Sequence, residues 1–304
     1  MTQDILIGVD GGGTKTKLRV EDFAGNVLGH AVSGPANIRL SVDLAWQSIY
    51  SALEEALAPQ GIRLDDKQYH FHAGLGLAGF ELVEARHVFL NHHHPFKTVL
   101  LNSDAHVSCI GAHQGKDGAI IIVGTGVVGY QIQEEAISKV SGWGFPHDDL
   151  GGGAWLGLEA ARLTFQWIDH RVEKSPLVEE VFAFFNNDLE HFVKWANRAD
   201  SKEFARLAPL VINHSQQEEI TAVRLMKKAA QAVERVSDAL ASMRKDQEVP
   251  FPVCLFGGIA PFIESWLSEE MRASLVVREG DASTGAIMMV RENLSRHSKV
   301  KQAC

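Results

Sequence analysis

Cysteine is scarce in this chain, and its scarcity excludes several kinds of site. The 304 residues include three cysteines, Cys109, Cys254 and Cys304. They are far apart and odd in number, which argues against a disulfide framework and against a zinc site. A four-thiolate iron–sulfur cluster needs more cysteines than one chain supplies.

Long apolar runs and an excess of positive charge are also missing. No stretch approaches the roughly 20 apolar residues that span a bilayer, and the start lacks the basic region of a secretory signal. The net charge is −9 and there is no basic stripe, so nothing favours nucleic-acid binding. We therefore predict a cytoplasmic protein without membrane or nucleic-acid partners.

The P-loop motif G-x-x-x-x-G-K-[ST] is absent, but another glycine-rich turn follows the first buried strand. It reads Asp10-Gly11-Gly12-Gly13-Thr14-Lys15. Three consecutive glycines place backbone N–H groups where an anion can approach them without a Cβ in the way. The threonine adds a hydroxyl donor and the lysine adds a cation. This pattern predicts a phosphate site on a β-hairpin.

Asp10 is unexpected in such a turn, because a carboxylate repels a phosphate unless a cation lies between them. A hydrated Mg²⁺ fits that position. The alternative is a tight hairpin whose glycines serve only a positive φ. That alternative leaves Asp10 and Thr14 unexplained.

A second glycine-rich turn, Gly124-Thr125-Gly126, follows another buried strand. Residues 124–129 spell G-x-G-x-x-G, which invites a dinucleotide-binding interpretation. In a Rossmann unit the third glycine opens a helix, whereas residues 127–132 are rich in β-branched and aromatic types that favour a strand. The second turn therefore resembles the first, and the pair indicates a duplicated nucleotide-binding core.

With both turns in place, the chain resembles the ASKHA superfamily and, within it, the BadF/BadG/BcrA/BcrD ATPase family that includes N-acetylglucosamine kinase. The turns resemble the family's two phosphate motifs, and Phe256-Gly257-Gly258 resembles its adenosine motif. Gly142-Trp143-Gly144, followed by Asp149, is similar to its sugar-binding segment. The similarity runs from the N-terminus to about residue 290.

This resemblance implies an α/β fold. We expect two actin-like, ribonuclease H-like ASKHA domains with mixed β-sheets flanked by helices and a cleft between them. The first domain would span 1–117, completed by a C-terminal helix at about 284–304, and the second 118–283 with a helical insert. Periodicity predicts strands at 5–10, 16–22, 27–33, 70–78, 98–103, 119–124, 127–133, 137–141, 252–256 and 274–278. It predicts helices at 41–58, 80–91, 104–114, within 152–246, at 261–269 and from 282 onward.

Asp104 is the candidate general base, since it ends a strand and opens a helix at the carboxyl edge of a sheet. The alternative from position alone is a helix N-cap. The resemblance favours the base, because the family's general base lies at the corresponding aspartate. It likewise assigns Asn37 to the sugar hydroxyls, although an asparagine after Gly-Pro is also ordinary turn chemistry.

The segment around Trp143 is expected to wall the sugar pocket, with Asp149 accepting a hydrogen bond from a hydroxyl. A tryptophan of the core is the alternative, but glycines on both sides are poor core material. Family members commonly carry Asp-Glu before the next glycine, whereas here Asp148 and Asp149 precede Leu150. Paired acids would suit a free ammonium, and an N-acetyl group would suit an apolar niche.

The sequence thus predicts an ATP- and Mg²⁺-dependent kinase that phosphorylates the 6-hydroxyl of an amino sugar, with N-acetylglucosamine preferred; the family implies position 6. Glucosamine kinase, and a BadF-type ATPase or sugar sensor without kinase activity, are the alternatives. We also consider a homodimer. The cluster His92-His93-His94 is expected to lie in an exposed loop without a metal.

Overall fold

The computed structural model describes residues 2–246 and 251–302, with side chains described as far as 296. The chain folds as two units: unit 1 comprises 1–118 and 277–304, and unit 2 comprises 119–276. The sequence-based division falls after residues 117 and 283. Cys304 lies outside the described residues.

Unit 1 contains a five-stranded sheet in the order β3-β2-β1-β4-β5. Its strands are β1 (Gln3–Gly11), β2 (Thr16–Asp22), β3 (Val27–Ser33), β4 (Tyr69–Leu77) and β5 (Thr98–Asn102). β1 pairs antiparallel with β2 and parallel with β4, so the sheet is mixed. Residues 5–9 are buried without interruption, because both faces of β1 are covered.

The first three helices flank this sheet. They are α1 (Val42–Leu57), α2 (Val83–Leu90) and α3 (Asp104–Ala112). α1 begins where the Ser41 side chain accepts a hydrogen bond from the Leu44 N–H. Trp46, on the buried face of α1, packs among the aliphatic side chains of β1 and β4 in the same core.

Unit 2 contains a four-stranded sheet in the order β8-β7-β6-β9. Its strands are β6 (Gly118–Val123), β7 (Val127–Gln133), β8 (Ala136–Ser141) and β9 (Val253–Phe256). Its helices are α4 (Gly153–Ile168), α5 (Pro176–Phe184), α6 (Leu189–Ala196), α7 (Ser201–Ala205), α8 (Ala208–Gln216), α9 (Ile220–Ser242), α10 (Ala260–Ile263) and α11 (Glu269–Ser274). Because β7 is a strand, the Rossmann interpretation of residues 124–129 is wrong.

The last helix, α12 (Ala282–Gln302), belongs to unit 1 and packs on β1, β4 and α3. Close approach to the sheet requires glycines on the strands. A Cβ on Gly8 would overlap the carbonyl oxygen of Ser283, and a Cβ on Gly74 would overlap that of Ala286. Within the described part of the chain, no helix is both long and apolar enough for a membrane span.

Near the end of unit 2, one predicted element is wrong and another is shorter than predicted. No strand forms over 274–278; Leu275 makes only an isolated bridge to Val253. The predicted helix 261–269 is interrupted, because the Ser268 side chain accepts a hydrogen bond from the Met271 N–H and so starts α11. A local cap here overrides the apolar periodicity.

The histidine cluster is less exposed than predicted. The rings of His92 and His94 stack on Trp46 at centroid distances of 5.4 and 5.8 Å, and only His93 is exposed. No group of His, Cys, Asp or Glu within residues 2–246 and 251–302 is arranged to hold a metal ion directly.

Candidate active site

The first glycine turn connects β1 to β2 and is stabilised by its own backbone. The Gly12 N–H donates to the Lys15 carbonyl at 3.0 Å, and the Gly12 carbonyl accepts from the Ala36 N–H at 3.0 Å. The Gly12 N–H is therefore engaged, contrary to the prediction that all three glycines offer this group to an anion. Because a trans peptide points its C=O and N–H in opposite directions, the Gly13 N–H points away from Ala36. Thr14 is exposed at the tip.

The carboxylate that precedes this turn lies in an unusual electrostatic environment. Burial, and then the charges of Asp104 and Asp281, raise the pKa of Asp10 to about 6, while Lys17 and Lys15 act to lower it. Burial also acts to raise the pKa of Asp281, but hydrogen bonds from residues 283 and 284 outweigh it and lower that pKa. Unit 1 therefore concentrates three carboxylates beside the glycine turn.

These carboxylates fit a hydrated magnesium ion. Mg²⁺ in phosphate-binding sites keeps several waters and takes only one or two carboxylates, with phosphate oxygens completing its shell. Asp10 and Asp104 supply such oxygens, and the raised pKa of Asp10 shows that its negative charge is poorly compensated by the protein alone. The donor set thus suits binding through water.

Asp104 occupies the first position of α3. The N-cap is Ser103, whose hydroxyl accepts from the His106 N–H at 3.1 Å. The alternative that Asp104 serves as the N-cap is therefore wrong. One carboxylate oxygen of Asp104 accepts from the Ala105 N–H at 2.8 Å, and the half-buried side chain lies close enough to Asp10 to raise its pKa.

Asn37 lies in the segment that adjoins the first turn. It bridges to Ala78 at the end of β4, and its Oδ1 accepts from the Arg39 N–H at 3.0 Å. The side-chain Nδ2 is left as the group that can donate to a ligand, with oxygen and nitrogen assigned from this hydrogen bond. Unit 1 thus brings Asn37, Asp104 and the first turn to the carboxyl end of its parallel strands.

The second glycine turn connects β6 to β7 and is fixed by the start of α4. The carbonyls of Gly124 and Thr125 accept from the N–H groups of Gly153 and Ala154 at 2.8 and 2.9 Å. The peptides are trans, so the N–H groups of Thr125 and Gly126 point away from α4. Two consecutive donors with one orientation are what an anion site on a turn requires.

A third glycine-rich segment, Gly257-Gly258, follows β9 and contacts the second turn. Gly257 has φ of +99°, and a Cβ there would overlap the Val123 carbonyl oxygen, which also accepts from the Ile259 N–H at 3.0 Å. Gly258 is different, since no described atom lies within 4 Å of its Cβ position. Packing therefore requires the first glycine of the pair and not the second.

The predicted sugar segment is an irregular loop between β8 and α4. Trp143 is 80% exposed, so the alternative of a core tryptophan is wrong. Its neighbours Gly142 and Gly144 have φ of +78° and +105°. Asp149 also has a left-handed backbone, with φ of +65°.

Asp149 contacts the second turn directly. Its Oδ1 accepts from the Val127 N–H at 3.3 Å, and its carboxylate stands 2.5 Å from the position of a Cβ on Gly126. Burial, and to a lesser degree Asp148, raises the pKa of Asp149 against the lowering by the Val127 bond. Asp149 is therefore the carboxylate in contact with the second turn.

Comparison with known proteins identifies the relatives of this chain. Residues 7–288 match the family described as the BadF/BadG/BcrA/BcrD ATPase family. The chain belongs to this family. The resemblance drawn from the glycine turns is thus confirmed.

Several known proteins are similar over nearly the whole chain. Glucosamine kinase GspK of Vibrio cholerae is 35% identical over 93% of this chain and 94% of its own length. The N-acetylmuramic acid/N-acetylglucosamine kinase of Clostridium acetobutylicum is 25% identical over 94% of this chain and 98% of its own length. A solved structure, a candidate N-acetylglucosamine kinase from Chromobacterium violaceum, has a TM-score of 0.84 at 32% identity, covering 94% and 98% of the two chains. The predicted fold class is confirmed.

Sequence reasoning missed two charged groups of the first site, Lys17 and Asp281. Lys17 could have been found from the hairpin register, because a turn over 12–15 places it opposite Asp10. Asp281 starts α12: its Oδ1 accepts from the N–H and the hydroxyl of Thr284 at 2.9 and 2.8 Å. The Asp-x-Ser-Thr spacing is a capping signal, but only the tertiary fold brings α12 back to β1.

Proposed function

We propose that this BadF-family chain is an amino-sugar kinase that transfers the γ-phosphoryl group of ATP to the 6-hydroxyl of a hexosamine. The supporting observation is the pair of trans-peptide turns, each with N–H groups directed away from its own supporting segment. Backbone donors of this kind bind the phosphates of a nucleotide without a P-loop. The named activities of the similar proteins support the same reaction class.

In the proposed mechanism, the sugar oxygen attacks the γ-phosphorus and the bond to the β-phosphate oxygen breaks, releasing ADP. Asp104 orients the attacking hydroxyl and accepts its proton. The Gly13, Thr125 and Gly126 N–H groups bind phosphate oxygens, and Lys15 offsets their charge. Gly257 and Gly258 border the adenosine. Positioning and charge stabilisation supply most of the rate enhancement in this chemistry.

Asp10, through water, would hold Mg²⁺, which when bound neutralises negative charge on the phosphates. Without a cation, Asp10 at neutral pH places a negative charge beside the turn that binds phosphate. Lys17 and Lys15 compensate that charge only in part, as the pKa of about 6 indicates. The ion and Asp10 therefore belong to the same part of the site.

Asn37, Asp149 and the segment Gly142-Trp143-Gly144 are assigned to the sugar. We place free glucosamine first as the substrate, because the relative with 35% identity is a glucosamine kinase and because the carboxylate of Asp149 would favour an ammonium group. N-acetylglucosamine is the second candidate. It is supported by the name of the Clostridium relative and by the Chromobacterium structure.

The test is ADP release with ATP and glucosamine, N-acetylglucosamine, N-acetylmannosamine or glucose as acceptor, followed by identification of the phosphorylated carbon by NMR. The proposal expects turnover with glucosamine or N-acetylglucosamine and phosphate on the 6-position. ADP release that is independent of sugar would instead support a BadF-type ATPase. Sugar binding without turnover would support a sensor. The cytoplasmic location, the homodimer and the domain limits stay predictions.

A further inference from the structure

The loop that carries Trp143 is closed by one carboxylate that the proposed reaction does not use. Asp148 Oδ2 accepts from the Ser141 hydroxyl and from the Trp143 backbone N–H, both at 3.0 Å. The Asp148 N–H in turn donates to the Gly144 carbonyl at 3.0 Å. Three hydrogen bonds thus join the two ends of a segment of eight residues.

This segment needs such a closure because its backbone is strained. Ser141, the first residue of the segment, has φ of +64°, and Asp149, the residue after it, has φ of +65°. Two residues with side chains therefore have left-handed backbone at the ends of the loop. For a residue with a Cβ, the left-handed region is less favourable than ordinary backbone. Hydrogen bonds to a carboxylate are about twice as strong as neutral ones and can offset that cost.

The indole of Trp143 is not held by packing. With 80% of its surface exposed, it lacks the surrounding side chains that fix the rotamer of a core tryptophan. Its ring contact in the described part of the chain is Lys139, whose Nζ lies 5.7 Å from the ring centroid. The direction in which the indole leaves the loop is therefore set by the Trp143 backbone, and the Trp143 N–H is bound by Asp148.

We propose that Asp148 is a positioning residue that holds the Trp143 indole in the orientation in which it stacks on the sugar. The proposal rests on the amino-sugar kinase function. Asp148 acts through Trp143 and not through its own contact with the substrate. An aromatic ring that covers the apolar face of a sugar contributes to substrate affinity, so the effect of Asp148 should appear in KM and leave kcat nearly unchanged.

The test is a double-mutant cycle with Asp148→Ala, Trp143→Ala and the pair, measured as KM and kcat for the sugar. We expect each single variant to raise the sugar KM about tenfold, in the range of one lost charge-assisted hydrogen bond, with the KM for ATP unchanged. The double variant should be no worse than Trp143→Ala alone. If the increase in sugar KM of the double variant equals the product of the two single increases, the proposal is overturned, because Asp148 would then contribute independently of Trp143.

Two further variants control for the loss of a carboxylate. Asp148→Asn keeps one acceptor oxygen and should recover most of the sugar KM. Asp169→Ala removes an exposed carboxylate whose partner is Arg171, also in unit 2, and should leave KM and kcat as in the wild type. If Asp148→Asn is as impaired as Asp148→Ala, the negative charge rather than the closure is needed, and the proposal is wrong.

A second measurement does not depend on catalysis. The six tryptophans can be labelled with 5-fluorotryptophan, and Trp143→Phe identifies the ¹⁹F resonance of Trp143. Asp148→Ala should shift and narrow that resonance and leave the other five in place. An unchanged Trp143 resonance would overturn the proposal. Absence of turnover in the wild type would contradict the kinase function alone, because the ¹⁹F spectra would still decide whether Asp148 orients Trp143.

Discussion

The two glycine turns direct their backbone N–H groups in the same way but are surrounded by different chemistry. In unit 1 the turn carbonyl is bound by an irregular segment at Ala36, and charges crowd around it: Asp10, Asp104, Asp281 and Lys17. In unit 2 the turn carbonyls are bound by the first N–H groups of α4, and Asp149 is the carboxylate in contact. The backbone design is repeated, whereas the charge is concentrated in unit 1.

The two sheets also differ, in their number of strands. The unit 1 sheet has a fifth strand, β5, whose carboxyl end delivers Asp104. At the matching place unit 2 has only the bridge of Leu275 to Val253, and its core is completed by the helices between 153 and 242. The unit that keeps the full sheet is the one that supplies the candidate base. We infer that proton transfer and metal binding belong to unit 1 and that unit 2 supplies a rigid backbone site.

The variant expected to show the largest effect of this difference is Asp104→Asn. Loss of the proton acceptor should lower kcat about 10²- to 10³-fold, because general-base catalysis contributes that much, with little change in the sugar KM. Steady-state ADP release measures it, and Asp149→Asn gives the comparison in unit 2. A larger loss of kcat for Asp149→Asn than for Asp104→Asn would contradict the assignment of proton transfer to unit 1.

The second test compares the effect on stability of a glycine in the first turn, Gly13, with that of Gly257, which packs against the second turn. Gly257→Ala should lower the free energy of unfolding by about 3 kcal/mol, because φ of +99° disfavours alanine and the new Cβ overlaps the Val123 carbonyl. Gly13→Ala should change it by less than about 1 kcal/mol, since no described atom lies within 4 Å of its Cβ position. Urea unfolding measures both. Equal losses of unfolding free energy for the two variants would show that backbone packing does not distinguish Gly257 from Gly13.

The third test uses pH and Asp10. The native pKa of about 6 lies above the ordinary 3.8, so the folded protein holds this proton more tightly. The stabilisation is complete below the ordinary pKa and is lost as the pH rises through about 6. Asp10→Asn should therefore be more stable than wild type by about 3 kcal/mol at about pH 8.

That advantage should disappear below about pH 4, where Asp10 is neutral in both states. Urea unfolding at several pH values checks the trend. Asp149→Asn should follow the same sign, because the pKa of Asp149 is also raised. A stability difference for Asp10→Asn that does not vary with pH would contradict an unfavourable buried charge in unit 1.

The smallest expected effect concerns Lys15, the cation of the first turn. Lys15→Gln should raise the KM for ATP by about threefold, because an exposed lysine contributes little to binding a phosphate. The difference from wild type should shrink as salt is added, since screening weakens exposed charges. Thr125→Ala, at the second turn, removes no charge and should show no such salt dependence. If the KM for ATP of the two variants depended equally on salt, the charge of Lys15 would not distinguish the first turn from the second.

Much of the fold followed from the sequence because strong local signals agreed with the tertiary arrangement. Continuous apolar runs gave β1 and β6, and the glycines between paired strands gave both turns. The errors lie where a local pattern was decided elsewhere. Residues 274–278 have strand-forming composition but gain only one bridge, and the helix expected over 261–269 ends at Ile263, before the Ser268 cap starts α11. His92 and His94 were predicted to be solvent-exposed, but their rings stack on Trp46, which is distant along the chain.

By itself, the sequence determined the family, the repeated glycine turns and the acidic residues next to them, because these depend on the chemistry of adjacent residues. Only the tertiary structure decided which groups act on one another. The return of α12 brings Asp281 to Asp10, the start of α4 orients the second turn, and Asp148 closes the loop of Trp143. These relations link residues that are distant along the chain or depend on a strained backbone, and neither spacing nor composition encodes them locally.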